Sequence, residues 1–181
     1  MNTMGVMQTR RLMFGLAGTL ALNLLATTAF AQQKFELVTG KPFDQAVPKD
    51  FYLEGNAIPT EKRNAAVVKT PAGGRAVFAL IDTAGYSSDI MTKYVGMLIT
   101  EGDLSVCGKT ISTGSYGFGW KRPATGVNEP GTFMLYDQAG KSVAECQTPR
   151  DADIKMPKPL QVVIAADGTR LYYGRHYLAL K

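Results

Sequence analysis

The chain has 181 residues, with 20 basic and 15 acidic side chains and a formal net charge of +5. Hydrophobic residues at 45% and charged residues at 19% exclude wholesale disorder. The small basic excess excludes a strong polyanion binder, so nucleic acid is not an expected partner.

Residues 1–31 have the pattern of a secretory signal peptide. Two arginines stand in a polar start without acids, an apolar run covers residues 12–26, and Ala29-Phe30-Ala31 is typical of a signal peptidase site. The run is shorter than the roughly 20 residues that a membrane span needs. The pattern therefore predicts cleavage after Ala31, one mature domain over residues 32–181 without a membrane span, and a periplasmic or secreted protein.

The export route has two candidates. Arg10 and Arg11 precede an apolar run that glycines make only moderately hydrophobic, and this arrangement resembles a twin-arginine signal. Two basic residues before an apolar run also occur in ordinary signals, so the general secretory route is the favoured prediction. The twin-arginine route stays the alternative, and it would require folding before export.

The first half of the mature chain predicts strands and one short helical turn. Residues 35–39 predict a short strand, and the rest of 32–64 is expected to lie extended against the domain. Residues 65–69 and 75–82 predict two strands joined by a Pro-Gly turn. The stretch 77–81 is continuously apolar, which is typical of a central strand buried on both faces.

Residues 88–100 carry both a helical and a strand pattern. Ile90 and Tyr94 fit one helical face, and Ser88 or Asp89 suits its start. Gly96 disfavours a longer helix. We therefore expect a short helical turn that leads into a strand.

The second half of the chain predicts strands punctuated by Gly and Pro. Residues 132–136 and 142–146 predict a hairpin, and 160–165 with 170–173 predict another. This pattern favours an all-β fold with at most one short helix, namely a single-domain β-sandwich or barrel. The other predicted segments are strands at 104–107, 116–120 and 176–180 and a surface loop at 147–159.

Cys107 and Cys146 are the only cysteines. In an oxidising compartment we expect them to form a disulfide, with two buried thiols or a redox pair as alternatives. The bond would stabilise the fold by roughly 3–4 kcal/mol. A Cys-x-x-Cys motif is missing and His176 is the only histidine, so neither a thioredoxin-like role nor a metal site is predicted.

Asp82 carries the catalytic alternative. An apolar strand that ends in Asp82-Thr83 is typical of aspartic proteases, in which two such loops share one proton. Leu171-Tyr172-Tyr173-Gly174-Arg175 faintly resembles a segment of the retroviral-type members. However, Ala84 replaces the expected glycine, and a second Asp-Thr-Gly is missing from the mature sequence, so a homodimer would be required. The competing interpretation is a strand that ends in a turn-forming aspartate.

Aromatic residues carry the binding hypothesis. Tyrosine combines an apolar ring with a polar tip, and Arg122 follows soon after Trp120. Packing in the core is the competing explanation. We expect a non-catalytic binding or accessory protein, without a cofactor, for a small apolar or sugar-like molecule or an envelope protein, with its site at Tyr86, Tyr116, Trp120 and Arg122. A structural or assembly factor that pairs through edge strands is a further alternative.

Several segments resemble a group of secreted bacterial proteins without a known activity. These segments are residues 63–71, Asp82-Thr83-Ala84-Gly85-Tyr86-Ser87-Ser88, Gly114-Ser115-Tyr116-Gly117-Phe118-Gly119 and residues 171–175. The resemblance covers most of 54–180. It implies a domain that carries a signal peptide, and it transfers no site residues.

Overall fold

The computed structural model describes residues 34–123 and 129–181, and these residues contain thirteen strands and two short helices. Neither helix in these parts is long and apolar enough to cross a membrane. The elements are β1 Glu36–Val38, α1 Lys41–Ala46, β2 Asp50–Leu53, β3 Asn56–Lys69, β4 Arg75–Ile81, α2 Ser88–Lys93, β5 Gly96–Thr100, β6 Leu104–Val106, β7 Lys109–Ile111, β8 Gly114–Lys121, β9 Gly131–Tyr136, β10 Ser142–Thr148, β11 Gln161–Ala165, β12 Gly168–Tyr173 and β13 His176–Leu180. The predicted signal peptide lies outside the described residues.

The strands form antiparallel sheets, and these sheets do not close into a barrel. The large sheet has the order β1-β3-β4-β5-β8-β9-β10, and β2 pairs with β3 off this path. A second sheet has the order β11-β12-β13, and β6 pairs with β7 as a separate hairpin. The predicted all-β class is confirmed, with two short helices instead of one.

The central strand β4 contributes to two hydrophobic cores, one on each face of the large sheet. Side chains alternate between the faces of a strand, so a strand with both faces covered has a continuous apolar sequence. The prediction of a doubly buried strand is therefore confirmed. The first core contains Ala76, Phe78 and Leu80, and the second contains Val77, Ala79 and Ile81.

Different elements cover the two faces. The three-stranded sheet supplies Val162, Leu171 and Leu178 to the first core, so this part of the molecule is a sandwich of two sheets. Phe51 from β2 and Ile90 from α2 belong to the second core. The side chain of Ser87 accepts a 3.4 Å hydrogen bond from the backbone N–H of Ile90 and so caps α2.

The expectation of an extended segment over most of 32–64 is wrong. This segment forms β1, α1, β2 and much of β3, and β2 pairs with β3 in register through Phe51 and Ile58. The two strands turn at Glu54 and Gly55, which have φ values of 47° and 77°. Positive φ at both central residues is typical of a tight hairpin turn, and glutamate is not a usual residue there. A register shift between Glu61 and Ala65 then marks a bulge within β3.

The predicted disulfide between Cys107 and Cys146 is confirmed, with a Cα–Cα distance of 5.4 Å. Cys107 and Gly108 form the β6–β7 turn with φ values of 54° and 71°. The bond therefore attaches this small hairpin to β10 of the large sheet.

Candidate functional site

A groove of about 760 Å³ lies beside the ends of β4, β8 and β12, and we call it the basic groove. Among the described residues that line it, four are lysine or arginine and none is aspartate or glutamate. Such a concentration of one sign of charge raises the local concentration of anions. Its cationic residues are Arg122, Arg150, Lys158 and Arg175, and its other lining residues include Leu80, Tyr173, Gly174 and His176.

Tyr173 contributes an aromatic surface to the basic groove, and Trp120 supports it from within the core. The two rings stack with their centroids 5.5 Å apart. Trp120 is only 5% exposed, and its indole N–H donates a 3.0 Å hydrogen bond to the hydroxyl of Thr148. The guanidinium of Arg122 lies 5.3 Å from the centroid of Tyr173, within the range of a cation–π contact. Trp120 thus positions the ring that meets the groove.

Asp151 holds the loop that supplies Arg150 and Lys158. Its Oδ1 accepts hydrogen bonds from the backbone N–H groups of Asp153, at 2.9 Å, and Ile154, at 3.2 Å. Its Oδ2 accepts a 2.7 Å hydrogen bond from the hydroxyl of Tyr172 on β12. This hydroxyl bond is the main reason why the pKa of Asp151 lies below its usual range.

The turn between β12 and β13 also holds this loop. Arg175 donates from Nη1 to the carbonyls of Ala152, at 3.2 Å, and Ile154, at 3.0 Å. The backbone N–H of Gly174 donates to the carbonyl of Lys158 at 3.0 Å. A guanidinium has five N–H donors, and the hydrogen bonds of Arg175 to the described residues use Nη1 alone.

His176 is the one histidine among the described lining residues, and it is only 9% exposed. Its Nε2 lies 3.1 Å from the carbonyl oxygen of Glu129. A carbonyl oxygen only accepts, so Nε2 carries the proton in this contact. His176 also forms an isolated antiparallel bridge with Arg150, which brings Arg150 to the groove.

The structure brings together two of the four residues that the sequence proposes for binding. Arg122 lines the basic groove, and Trp120 lies behind its aromatic surface. Tyr86 is packed against the second core instead, and its hydroxyl donates to the carbonyl of Ala57. The hydroxyl of Tyr116 donates to the carbonyl of Ser112 at 2.9 Å, and Tyr116 is not among the lining residues.

Asp82 stands apart from the basic groove. Its side chain is exposed, and Oδ1 accepts a 3.0 Å hydrogen bond from the backbone N–H of Ala84. This is the geometry of an Asx turn, the turn-forming arrangement that the sequence offers as the alternative to catalysis. Within residues 34–123 and 129–181, no group of three or more His, Cys, Asp and Glu side chains is placed to hold a metal ion.

Sequence reasoning missed Tyr173, Arg150, Lys158 and Arg175 as site residues. Three of them come from the segment after β10 and from the β12–β13 turn, which the backbone folds together over a long sequence separation. The available signal was a cluster of prolines and cations in the predicted loop at 147–159, followed by Tyr173-Gly174-Arg175. Comparisons with protein-family models, with curated proteins and with solved structures find no match.

Proposed function

We propose that this chain is an exported, non-catalytic binding protein whose basic groove takes a small anionic molecule. The observation that carries the proposal is the convergence of Arg122, Lys158 and Arg175 on one cavity of about 760 Å³. That volume falls within the range of small-molecule sites, about 300–1,000 Å³. Export is inferred from the leader sequence alone.

Arginine is well suited to a carboxylate or a phosphate. Its planar guanidinium presents paired donors that match the two oxygens of such an anion, and these charge-assisted bonds are stronger than neutral ones. Arg175 is already oriented by its bonds to Ala152 and Ile154, so less side-chain freedom is lost on binding. Tyr173 adds an apolar surface for the uncharged part of the molecule.

The lining favours binding over catalysis. In the groove, the group for general-base chemistry would be Nδ1 of His176, because Nε2 donates to the Glu129 carbonyl, and the described lining carries no carboxylate to orient that ring. The carboxylate of Asp151 accepts three hydrogen bonds that hold the loop. Asp82, the residue of the hydrolase alternative, is engaged in its own turn.

Isothermal titration calorimetry with benzoate, inorganic phosphate and the neutral analogue benzyl alcohol tests this proposal. We expect an anion to bind and benzyl alcohol to bind at least tenfold more weakly, because it forms no charge-assisted bond. Arg122→Gln and Lys158→Gln should each weaken anion binding about tenfold or more, which corresponds to the loss of a hydrogen bond to a charged group. Lys141→Gln, at an exposed lysine outside the groove, is the matched control and should bind as the unmodified protein does.

Two results would contradict the proposal. One is equal binding of benzoate and benzyl alcohol. The other is an anion affinity that Arg122→Gln and Lys158→Gln leave unchanged, or that Lys141→Gln lowers by the same factor. Circular dichroism spectra of the variants separate a local loss of charge from misfolding.

A further inference from the structure

A second groove, of about 340 Å³, lies between the edge strand β1 and the segment that enters β11, and we call it the apolar groove. Leu37 lines it and is 51% exposed, which is a large exposure for a leucine on a strand. Its apolar side chains come from β1, α1, β3 and the start of the second sheet. The larger ones are Leu37, Val38, Phe43, Val67, Leu160 and Val162.

The two grooves are neighbours. Lys158 lines both of them, Pro159 lines the basic groove, and Leu160 lines the apolar groove. Arg63 is the other cation of the apolar groove. Among the described residues lining either groove, none is acidic, so the charge along the pair is of one sign.

We propose that the two grooves together bind one single-chain amphiphile, with its anionic head group in the basic groove and its alkyl chain in the apolar groove. This inference rests on the proposed function and specifies its ligand class. The positive charge of Arg122, Lys158 and Arg175 matches the head group. An alkyl chain requires no hydrogen-bond partners, so it can lie against side chains such as Phe43 and Val162 without leaving a polar group unpaired.

Lys158 is the residue that links the two parts of the ligand. A lysine side chain can lay its methylene stem along an apolar surface while its ammonium group meets an anion. At the position where both grooves share a wall, the stem would contact the first methylenes of the chain and Nζ would contact the head group. Lys158→Gln is therefore expected to weaken binding of long and short anions alike.

A chain-length series measures the contribution of the apolar groove. Calorimetric titrations with sodium butanoate, hexanoate, octanoate and decanoate, each kept below micelle-forming concentrations, should give affinities that rise about fourfold for each added methylene until the groove is filled. Octanol, which has the chain without the charge, should bind at least tenfold more weakly than octanoate. Benzoate, without an alkyl chain, supplies the reference for the basic groove.

Leu37→Ser removes an exposed apolar side chain of the apolar groove and should cut octanoate affinity severalfold while leaving benzoate affinity unchanged. Tyr52→Ser is the matched control, because Tyr52 is 67% exposed on β2 and lines neither groove. Arg122→Gln should weaken octanoate and benzoate by the same factor.

The outcomes separate this inference from the proposed function. If benzoate binds and the alkanoate affinities do not depend on chain length, the inference of an amphiphilic ligand is overturned, while the proposed binding of an anion stands. Failure of every anion to bind overturns the proposed function itself. Octanol binding as tightly as octanoate, or binding to phosphatidylglycerol vesicles without binding of monomeric alkanoates, also overturns the inference.

Discussion

The hydroxyl of Tyr172 donates a 2.7 Å hydrogen bond to Oδ2 of Asp151 and so joins β12 to the loop between β10 and β11. The other oxygen of this carboxylate accepts two backbone N–H groups of the same loop. Because Arg150 and Lys158 line the basic groove from this loop, one carboxylate organises a large part of the candidate site.

Tyr172→Phe is expected to lower the free energy of unfolding by about 1.5–3 kcal/mol, because the deleted hydroxyl bonds to a charged partner. The aromatic ring remains, so its packing against Tyr177 is retained. Urea denaturation measures the loss. Tyr116→Phe removes a hydroxyl that bonds to the neutral carbonyl of Ser112, and it should cost less and leave benzoate binding unchanged. A Tyr172→Phe protein as stable as its parent would contradict the anchoring role.

Acid should weaken the same anchor. The pKa of Asp151 is lower in the folded protein than its ordinary value of 3.8, mainly because of the Tyr172 hydrogen bond. The unfolded state therefore binds the proton more readily, and this contribution to stability is present above pH 3.8 and is lost as the pH falls through the folded pKa. Urea midpoints measured from pH 6 to pH 2.5 should fall less steeply for Tyr172→Phe than for the unmodified protein. Parallel curves would exclude the effect.

Alkali should act on a different cluster, that of Glu54, Lys93 and Tyr94. Burial, followed by the hydrogen bond to Glu54, raises the pKa of Tyr94 from 10.0 to about 12. The folded state therefore retains the phenol proton that the unfolded state loses first. This contribution to stability is complete below pH 10 and is lost as the pH rises from 10 to about 12.

Tyr94→Phe should remove this part of the alkaline loss, although it destabilises the protein at neutral pH by leaving Glu54 without one donor. The difference between its urea midpoint and that of the unmodified protein should shrink between pH 9 and pH 12. Tyr136→Phe is a suitable control, since its ring lies 5.4 Å from that of Tyr94 and it supplies no hydrogen bond to Glu54 among the described contacts. A constant difference would show that Tyr94 does not titrate in this range.

Replacing both Cys107 and Cys146 with serine should lower the free energy of unfolding by about 3–4 kcal/mol, on the chain-entropy account of a loop with a sequence separation of 39. Urea denaturation of the double variant, compared with the unmodified protein with and without dithiothreitol, measures it. The reduced protein and the double variant should agree. If the free energy of unfolding fell by less than 1 kcal/mol, the disulfide would contribute little by restricting the unfolded chain.

Gly96→Ala should destabilise the large sheet. A Cβ atom at Gly96 would lie 2.2 Å from the ring of Phe118 and 2.6 Å from the carbonyl oxygen of Ala79. Overpacking of this kind costs about 1–3 kcal/mol. At Gly114 the nearest atom is 3.3 Å away, on the ring of Tyr116, so Gly114→Ala is the milder comparison in thermal denaturation. Equal melting temperatures for the two variants would contradict the expected clash.

Local sequence patterns predicted the strands better than the site. The continuous apolar run of β4 and the hairpin of residues 132–136 and 142–146 are short-range signals, and both are confirmed. The β2–β3 hairpin was missed because Glu54 adopts a φ of 47° that its residue type does not suggest. The basic groove was missed because contacts such as Tyr172 to Asp151 join residues 21 positions apart. Such contacts join distant parts of the chain, and the local trace of the groove was the cluster of prolines and cations at 147–159.

The alternation of β4 between the two cores has a thermodynamic consequence. Each of the two hydrophobic cores contains side chains of β4, so neither core is fully packed without this strand. Unfolding that displaces β4 from one core therefore also disrupts the other. The two cores should therefore lose their structure together, and calorimetry should record a single cooperative transition for both.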